Sequence, residues 1–405
     1  MSLKLKLIYI YFGGDLSQKL PGVHKKIISK INNLNTDYSI CHGISIQQDF
    51  NSLDTFENLF FIKPQLRSKL KYFNSIRENS IRFFELEEYL KNHTEFDYLI
   101  FRYPLASKPL LEFCKKHKGK VLIEFNTLEV PELTLSLKNL ISGTKFSFKP
   151  GYFINIFENG ILPIIREYYY KSRILKEIKF AIAVSNEILD SLKKTCHSCN
   201  GFVLSNSIDT RNYFPRTQII EAKTVLKLFM LVGFNANWHG VERLIKSAFN
   251  YKGNRKIEVY IFGETHELLK LSTKKLQNIE FIFCHTQSKE ELDSHLHDKH
   301  IGIGTLSAHL KSLFEASPLK VREYIARGFP IIIGYEDTDL SCTHQIDKMI
   351  YKVKNDNSLI DFQSVVDWYD SLNKIENWPA KIQKFAAQKL DTSMKMNFLL
   401  SKLLK

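Results

Sequence analysis

The chain alternates short apolar runs with longer stretches whose apolar positions recur at helical spacing. The runs at 5–12 (LKLIYIYF), 96–102 (FDYLIFR), 119–125 (GKVLIEF), 179–185 (KFAIAVS) and 201–206 (GFVLSN) predict strands, with SIRFFELEEYL and LASKPLLEFCKKH as helices among them. A polar, proline-containing stretch, SIDTRNYFPRTQIIEAKT, then interrupts the pattern. A second series follows at 226–234, 256–264, 278–285, 299–306 and 329–335, separated by helices such as HGVERLIKSAF and SKEELDSHLH. Continuous apolar strands alternating with helices mark parallel sheets covered on both faces. Two successive series predict an α/β chain of two Rossmann-like doubly wound domains, at 1–206 and 207–385. Residues 386–405 are expected to form a C-terminal helix that packs back on the first domain.

Composition narrows this picture only modestly. At 405 residues, 44% hydrophobic and 25% charged, the chain has ample material for two cores. The apolar run after the first lysines is short, ends in Gly-Gly-Asp and lacks a cleavage site, so it reads as a first strand and not as a signal peptide. No window approaches the roughly 18 apolar residues of a membrane span. Of the six cysteines, only CHSC (196–199) has metal or redox spacing, and no second pair completes a zinc site. Cys196 and Cys199 are therefore read as surface or half-buried thiols, and a reducing cytoplasm as the compartment. The net charge of +14, of which +9 falls in residues 1–206, favours anionic partners: nucleotides, nucleic acid or acidic lipid. A merely solvated basic surface fits the charge as well.

In doubly wound sheets ligands gather at the carboxyl ends of the strands. After the first strand comes GGDLSQKLPGVHKKI, in which Gly13, Gly14 and Gly22 allow close backbone approach and a helix starts near Gly22. Such a turn suits a phosphate, although the spacing is not that of a dinucleotide fingerprint and simple turn glycines fit equally. His24 falls in the first turn of that helix. In the second series the strand ends carry Gly233-Phe234-Asn235, Phe262-Gly263-Glu264 and His285-Thr286. Trp238 and His239 stand at a helix start, with Arg243 four residues on and on the same face. That pair suits either an anion or a surface ion pair.

The stretch LFEASPLKVREYIARGFPIII (313–333) concentrates the most chemistry. Ser317 is expected as the N-cap and Pro318 as the first helical residue, with Gly328 closing the helix. Glu323 shares a helical face with Leu319, and Glu315 lies in the loop before the cap. The amides of residues 319–321, Leu319 and Val321 among them, and the Lys320 ammonium give this helix end a positive potential. Carboxylates that accept from sugar hydroxyls, beside amides and a lysine that hold phosphates, would form a nucleotide-sugar site. An amphipathic helix with solvated charges is the competing reading.

The seven residues between Glu315 and Glu323, in the context SPLKVREYIARGFPII, resemble the E-x7-E segment of retaining GT-B glycosyltransferases of the family-four, group 1 type. AVSNEILDSL resembles the close of that family's N-terminal domain, and VLSNSIDTRNYFP its interdomain link. LVGFNANWHGVERLIKSA and VYIFGETHEL resemble the first two units of its nucleotide domain. The match spans most of 180–335 and weakly includes the glycine-rich N-terminal loop.

The resemblance implies a transfer of sugar from a nucleoside diphosphate sugar to a hydroxyl acceptor, with retention at the anomeric carbon and neither metal nor cofactor. It implies that Glu323 accepts from the ribose hydroxyls and Glu315 from the donor sugar. With the two domains facing across a cleft, the Gly13-Gly14 loop would approach the diphosphate and sugar from the far side, while Gly233 and Gly263 stand, by their own strand-end turns, where a nucleotide could lie edge-on. Where the family carries its basic clamp, this chain has Asn235 and His239, so Arg243, Lys311 or Lys320 is expected to supply the charge. The Phe-Gly that usually follows the first glutamate is absent. His24 and Asn126 are the acceptor-side candidates. The D-x-D letters in EDTDL (336–340) are read as a loop. Segment 131–180, with eight Lys/Arg, four Asp/Glu and nine aromatics, fits either an anionic membrane contact serving a lipid-linked glycan acceptor or a loop and helix packed on the first sheet. Three other functions stay open: a nucleotide-sugar epimerase, a nucleic-acid-binding module, for which no reading motif is evident, and a non-catalytic sugar-binding protein.

Overall fold

The computed structural model describes residues 4–12, 21–46, 58–63, 74–93, 95–143, 150–213, 222, 224–234, 236–264, 276–285, 288–341 and 344–405. The chain divides into two compact units, one of Met1–Ser205 with Met396–Lys405 and one of Asn206–Lys395.

Among its described residues the first unit has seven strands: β1 (Leu5–Phe12), β2 (Ser39–Ile46), β3 (Leu59–Ile62), β4 (Tyr98–Arg102), β5 (Val121–Phe125), β6 (Phe180–Ala183) and β7 (Gly201–Val203). They pair in the order β3-β2-β1-β4-β5-β6-β7, parallel at every step. The helices are α1 (Pro21–Asn33), α2 (Asn74–His93), α3 (Lys108–Lys116), α4 (Glu129–Gly143), α5 (Pro150–Ile156), α6 (Leu162–Glu177) and α7 (Asn186–Thr195). A π turn, Phe157–Ile161, joins α5 to α6. Alternation along β1 serves two cores: Leu7, Tyr9 and Tyr11 pack with Ile27 and Ile31 of α1, while Ile8 and Ile10 pack with Phe83 and Leu86 of α2. Each such buried aliphatic side chain stabilises the fold by roughly 1.5–3 kcal/mol.

The second unit holds β8 (Val225–Phe234), β9 (Lys256–Glu264), β10 (Ile279–Cys284), β11 (Ile301–Ile303), β12 (Glu315–Ala316), β13 (Ile331–Ile333), β14 (Glu336–Asp337) and β15 (Ile350–Lys352). Six of them form a parallel sheet in the order β10-β9-β8-β11-β13-β15, and β12 pairs separately with β14. Its helices are α8 (Val241–Ala248), α9 (Lys289–Leu296), α10 (Leu319–Ala326), α11 (Phe362–Leu372) and α12 (Trp378–Phe385). Helix α13 (Thr392–Leu403) then returns Met396, Leu399, Leu400 and Leu403 to the first unit's core, beside Leu7, Tyr9 and Leu204.

Several local expectations are revised. Cys196 and Cys199 are buried in the first unit's core instead of lying at its surface. Strands β2, β3 and β15 lie outside the predicted series. EDTDL does not run wholly as a loop, because Glu336 and Asp337 form β14. Among the described residues, no helix is long and apolar enough to cross a membrane.

Candidate functional site

The second unit brings several of the predicted residues to the carboxyl ends of β8 and β11. Strand β8 changes register against β9 between Leu231 and Gly233, where Gly233 comes opposite Gly263. Both glycines have positive φ, 58° and 136°. A Cβ on Gly263 would lie 2.8 Å from the Gly233 nitrogen, so the close backbone approach requires glycine. The chain then makes a single 3₁₀ turn, Asn237–His239, and enters α8 through Gly240 at φ 81°. Trp238 and His239 thus precede the helix by one turn, not at its start as the sequence predicts. Their carbonyls accept from Ser307 and Leu306 N–H at 3.2 and 3.1 Å, which ties this turn to the segment after β11.

Lys320, in the first turn of α10, reaches into that corner. Its ammonium donates to His239 Nδ1 at 3.0 Å and to the Leu231 carbonyl at 3.3 Å. Burial pulls the Lys320 pKa down to about 7. Burial, with Lys320 and then Lys311 as like-charged neighbours, pulls His239 down to about 2. The imidazole is therefore neutral and accepts the lysine's proton donor. Lys311 stands 4.5 Å over the Trp238 ring, at the end of the 3₁₀ turn Ala308–Lys311. The outcome is a corner with two ammonium groups, a neutral histidine and the start of α10.

That helix start is not capped as predicted. Pro318 is the flanking residue and offers no side-chain cap, while the Ser317 hydroxyl accepts from Asn206 N–H at 2.8 Å. The Asn206 amide also donates to the Ser317 carbonyl at 2.6 Å. The first amides of α10 are left without a side-chain acceptor at their cap, which suits an anionic ligand. Leu319 is half-buried, and Val321 is fully inside the core, so Val321 can offer a ligand only its backbone.

The two acids of the motif are both half-buried. Glu315 lies in β12, paired with Glu336 of β14, and not in a loop. Glu323 accepts from the hydroxyl of Tyr213, whose proton burial and then Glu323 hold on more tightly than usual. The Tyr213 ring is bordered by the Arg327 guanidinium at 4.7 Å and the Lys289 ammonium at 5.4 Å.

Arg243 is committed elsewhere. Its guanidinium lies buried, donates to the Ser358 carbonyl at 2.7 Å and to that of Leu306, and sits 3.8 Å from Asp356. Those bonds give it a structural task within the unit. The sequence reading missed Arg322, which is fully buried and donates both to the Asp337 carboxylate and, at 2.9 Å, to Asp339. The D-x-D letters are thus bound to an internal guanidinium. Asp339 also holds Lys395 at 2.6 Å.

Gly13, Gly14 and Asn235 lie outside the described residues. His24 lies in α1, where only the backbone is described. In the first unit, Asn126 accepts from Lys26 at 2.9 Å. Lys26 and Lys30 also donate to Glu124 at 2.7 and 2.5 Å, and Tyr9 donates to it at 3.0 Å. Burial opposes ionisation of Glu124, but the two ammonium groups outweigh it and hold the carboxyl well below its usual range. An acid inside the apolar run VLIEF was the available signal for this cluster.

No protein-family model and no curated protein sequence matches the chain. Solved structures resemble it over almost their full length. A glycosyltransferase from Rickettsia africae has a TM-score of 0.63 at 14% identity, with 99% of each chain covered. Sucrose-phosphate synthase from Thermosynechococcus elongatus has a TM-score of 0.64 at 10% identity, again with 99% of each chain covered. HepE from Anabaena, solved in complex with UDP-glucose, has a TM-score of 0.63 at 12% identity and the same coverage. At these identities the likeness establishes the fold, which is the GT-B type that the sequence resemblance implied.

Proposed function

We propose that the protein is a glycosyltransferase that moves a sugar from a nucleoside diphosphate sugar, best matched by UDP-sugars, to a hydroxyl acceptor. The observation that carries this reading is the corner formed by Lys320, Lys311, neutral His239 and the first amides of α10 at the strand ends. Cations and oriented amides there suit a diphosphate, and the complex of similarly folded HepE with UDP-glucose supports the donor class. In the reaction, the bond from the anomeric carbon to the diphosphate oxygen breaks as a bond to the acceptor oxygen forms. The acceptor's proton passes to the departing diphosphate, and retention follows from transfer on the same face. Lys320 and Lys311 stabilise the charge that develops on the leaving group. With its guanidinium bonded to carbonyls, Arg243 is not part of this clamp. Glu323 holds the ribose hydroxyls in place of Tyr213, and Glu315 the donor sugar.

A thermal-shift panel of UDP, GDP, ADP and their sugars, followed by assay of nucleotide release with and without acceptor sugars, tests the proposal. A ligand selective for the native state raises the melting temperature. Absence of any nucleotide-dependent shift would sink it. Conversion of donor into an isomer with no acceptor would assign the site to an epimerase instead.

A further inference from the structure

Between Pro150 and Glu177 the chain runs as one helical stretch, α5, the π turn and α6, and its polarity is inverted. The buried positions of the π turn and α6 include three charged residues, Glu158, Glu167 and Lys171. Glu167 accepts from Ala106 N–H at 2.6 Å and from the Tyr103 hydroxyl at 3.0 Å, and Lys171 is paired with Glu129. With Asn155 and Asn159 also at the surface, the exposed positions include Phe153, Phe157, Ile161, Ile165, Tyr168 and Tyr169, these six between 38% and 74% exposed. Steps of four and three residues place these side chains along one face. The same face ends in exposed Arg173, stacked 4.0 Å over Tyr169, and Lys176.

A cavity of about 370 Å³ opens beside this face, lined by Ser107, Lys108, Leu162, Ile165, Arg166 and Tyr170. Arg166 is half-buried and makes no hydrogen bond or ion pair with any described residue. Burial lowers its pKa, and Tyr170 and Glu158 offset this only in part. A cation so placed between apolar walls suits a phosphate that carries hydrocarbon.

We infer that this helix lies in the surface of an anionic phospholipid bilayer, with its aromatic and aliphatic face among the acyl chains and Arg166 on a headgroup phosphate. Charge selects this occupant. Glu158, Glu167 and Lys171 all face inward, and among the described residues of 131–180 that are not buried, Lys138, Arg166, Arg173, Lys176 and Lys179 stand against Glu132 and Glu177. A second copy of the chain would meet the same positive face, whereas an anionic membrane complements it. The inference does not depend on the nucleotide site, because membrane binding is read without donor.

The test is co-sedimentation of the full chain with phosphatidylcholine vesicles, with and without phosphatidylglycerol. The wild type is expected to partition onto the anionic vesicles and to be released by salt. Phe157→Glu with Ile161→Glu, both at exposed positions, should lower partitioning at least about tenfold. Arg166→Gln and Arg173→Gln should each lower it about fivefold, and Lys389→Gln, an exposed cation of the other unit, should leave it unchanged. Melting curves confirm that each variant is folded. Wild-type protein that stays in the supernatant overturns the inference, as does a folded double-glutamate variant that still sediments. A dimer in sedimentation velocity that dissociates in that variant also overturns it, by assigning the face to a second copy.

Discussion

Burial pulls the Lys320 ammonium down to about 7, whereas the unfolded chain keeps it near the ordinary 10.5. Between those values the unfolded chain binds more protons, so this residue's penalty on stability is full below about pH 7 and is relieved as pH rises toward 10. Ligand binding has the opposite sign. A diphosphate favours the charged lysine, so UDP affinity should fall as pH rises from 7 to 9, with proton uptake in calorimetry. Lys320→Met should weaken binding and flatten that pH dependence; an unchanged profile would remove Lys320 from the clamp. Glu323→Ala should weaken donor binding roughly 10–150-fold, the equivalent of about 1.5–3 kcal/mol for hydrogen bonds to a charged acceptor. Unchanged nucleotide affinity in the folded variant would refute the ribose role. The Lys320 position was legible from its place at a helix start. Its pairing with His239 was not, because that bond spans 81 residues of sequence and depends on the turn after β8.

Elements were legible wherever an apolar run was continuous. Strand β1 is legible over its full length, whereas β2 is not, because its sequence, SICHGISI, carries two fully buried serines. Ser39 is tolerated inside because its hydroxyl donates to the Leu34 carbonyl at 2.6 Å. The cap of α10 failed for a related reason: Ser317 finds its partner in Asn206, 111 residues away, where local spacing carries no signal. Arg322 anchors the same helix through two acids. Replacing it with Met should cost about 3–5 kcal/mol, since the Asp337 carboxylate would remain buried without its partner. Chemical denaturation measures this, and a loss below 1 kcal/mol would show that the pair is dispensable. At the β8–β9 register change, Gly263→Ala should destabilise by about 1–3 kcal/mol, read as a lower melting temperature, because its φ and the facing Gly233 backbone both exclude a Cβ.

On the scale of the whole chain, the two strand series foretold two parallel sheets, since each series is apolar enough to be covered on both faces. What pattern alone left unspecified was which side chains of α13 enter a core. Leu399→Ala combined with Leu400→Ala should destabilise the first unit by about 2–5 kcal/mol per leucine, while a UDP-induced thermal shift persists. Loss of that shift would place the donor site's integrity in the first unit as well. The entry of residues 396–405 into the first unit also orders events during synthesis. The ribosome must add 206–395 before the wall supplied by Met396, Leu399, Leu400 and Leu403 exists. At about 5–20 residues per second, that leaves an open apolar face for roughly 10–40 s. The nascent first unit is therefore a natural client for chaperones, and the second can complete its core before it.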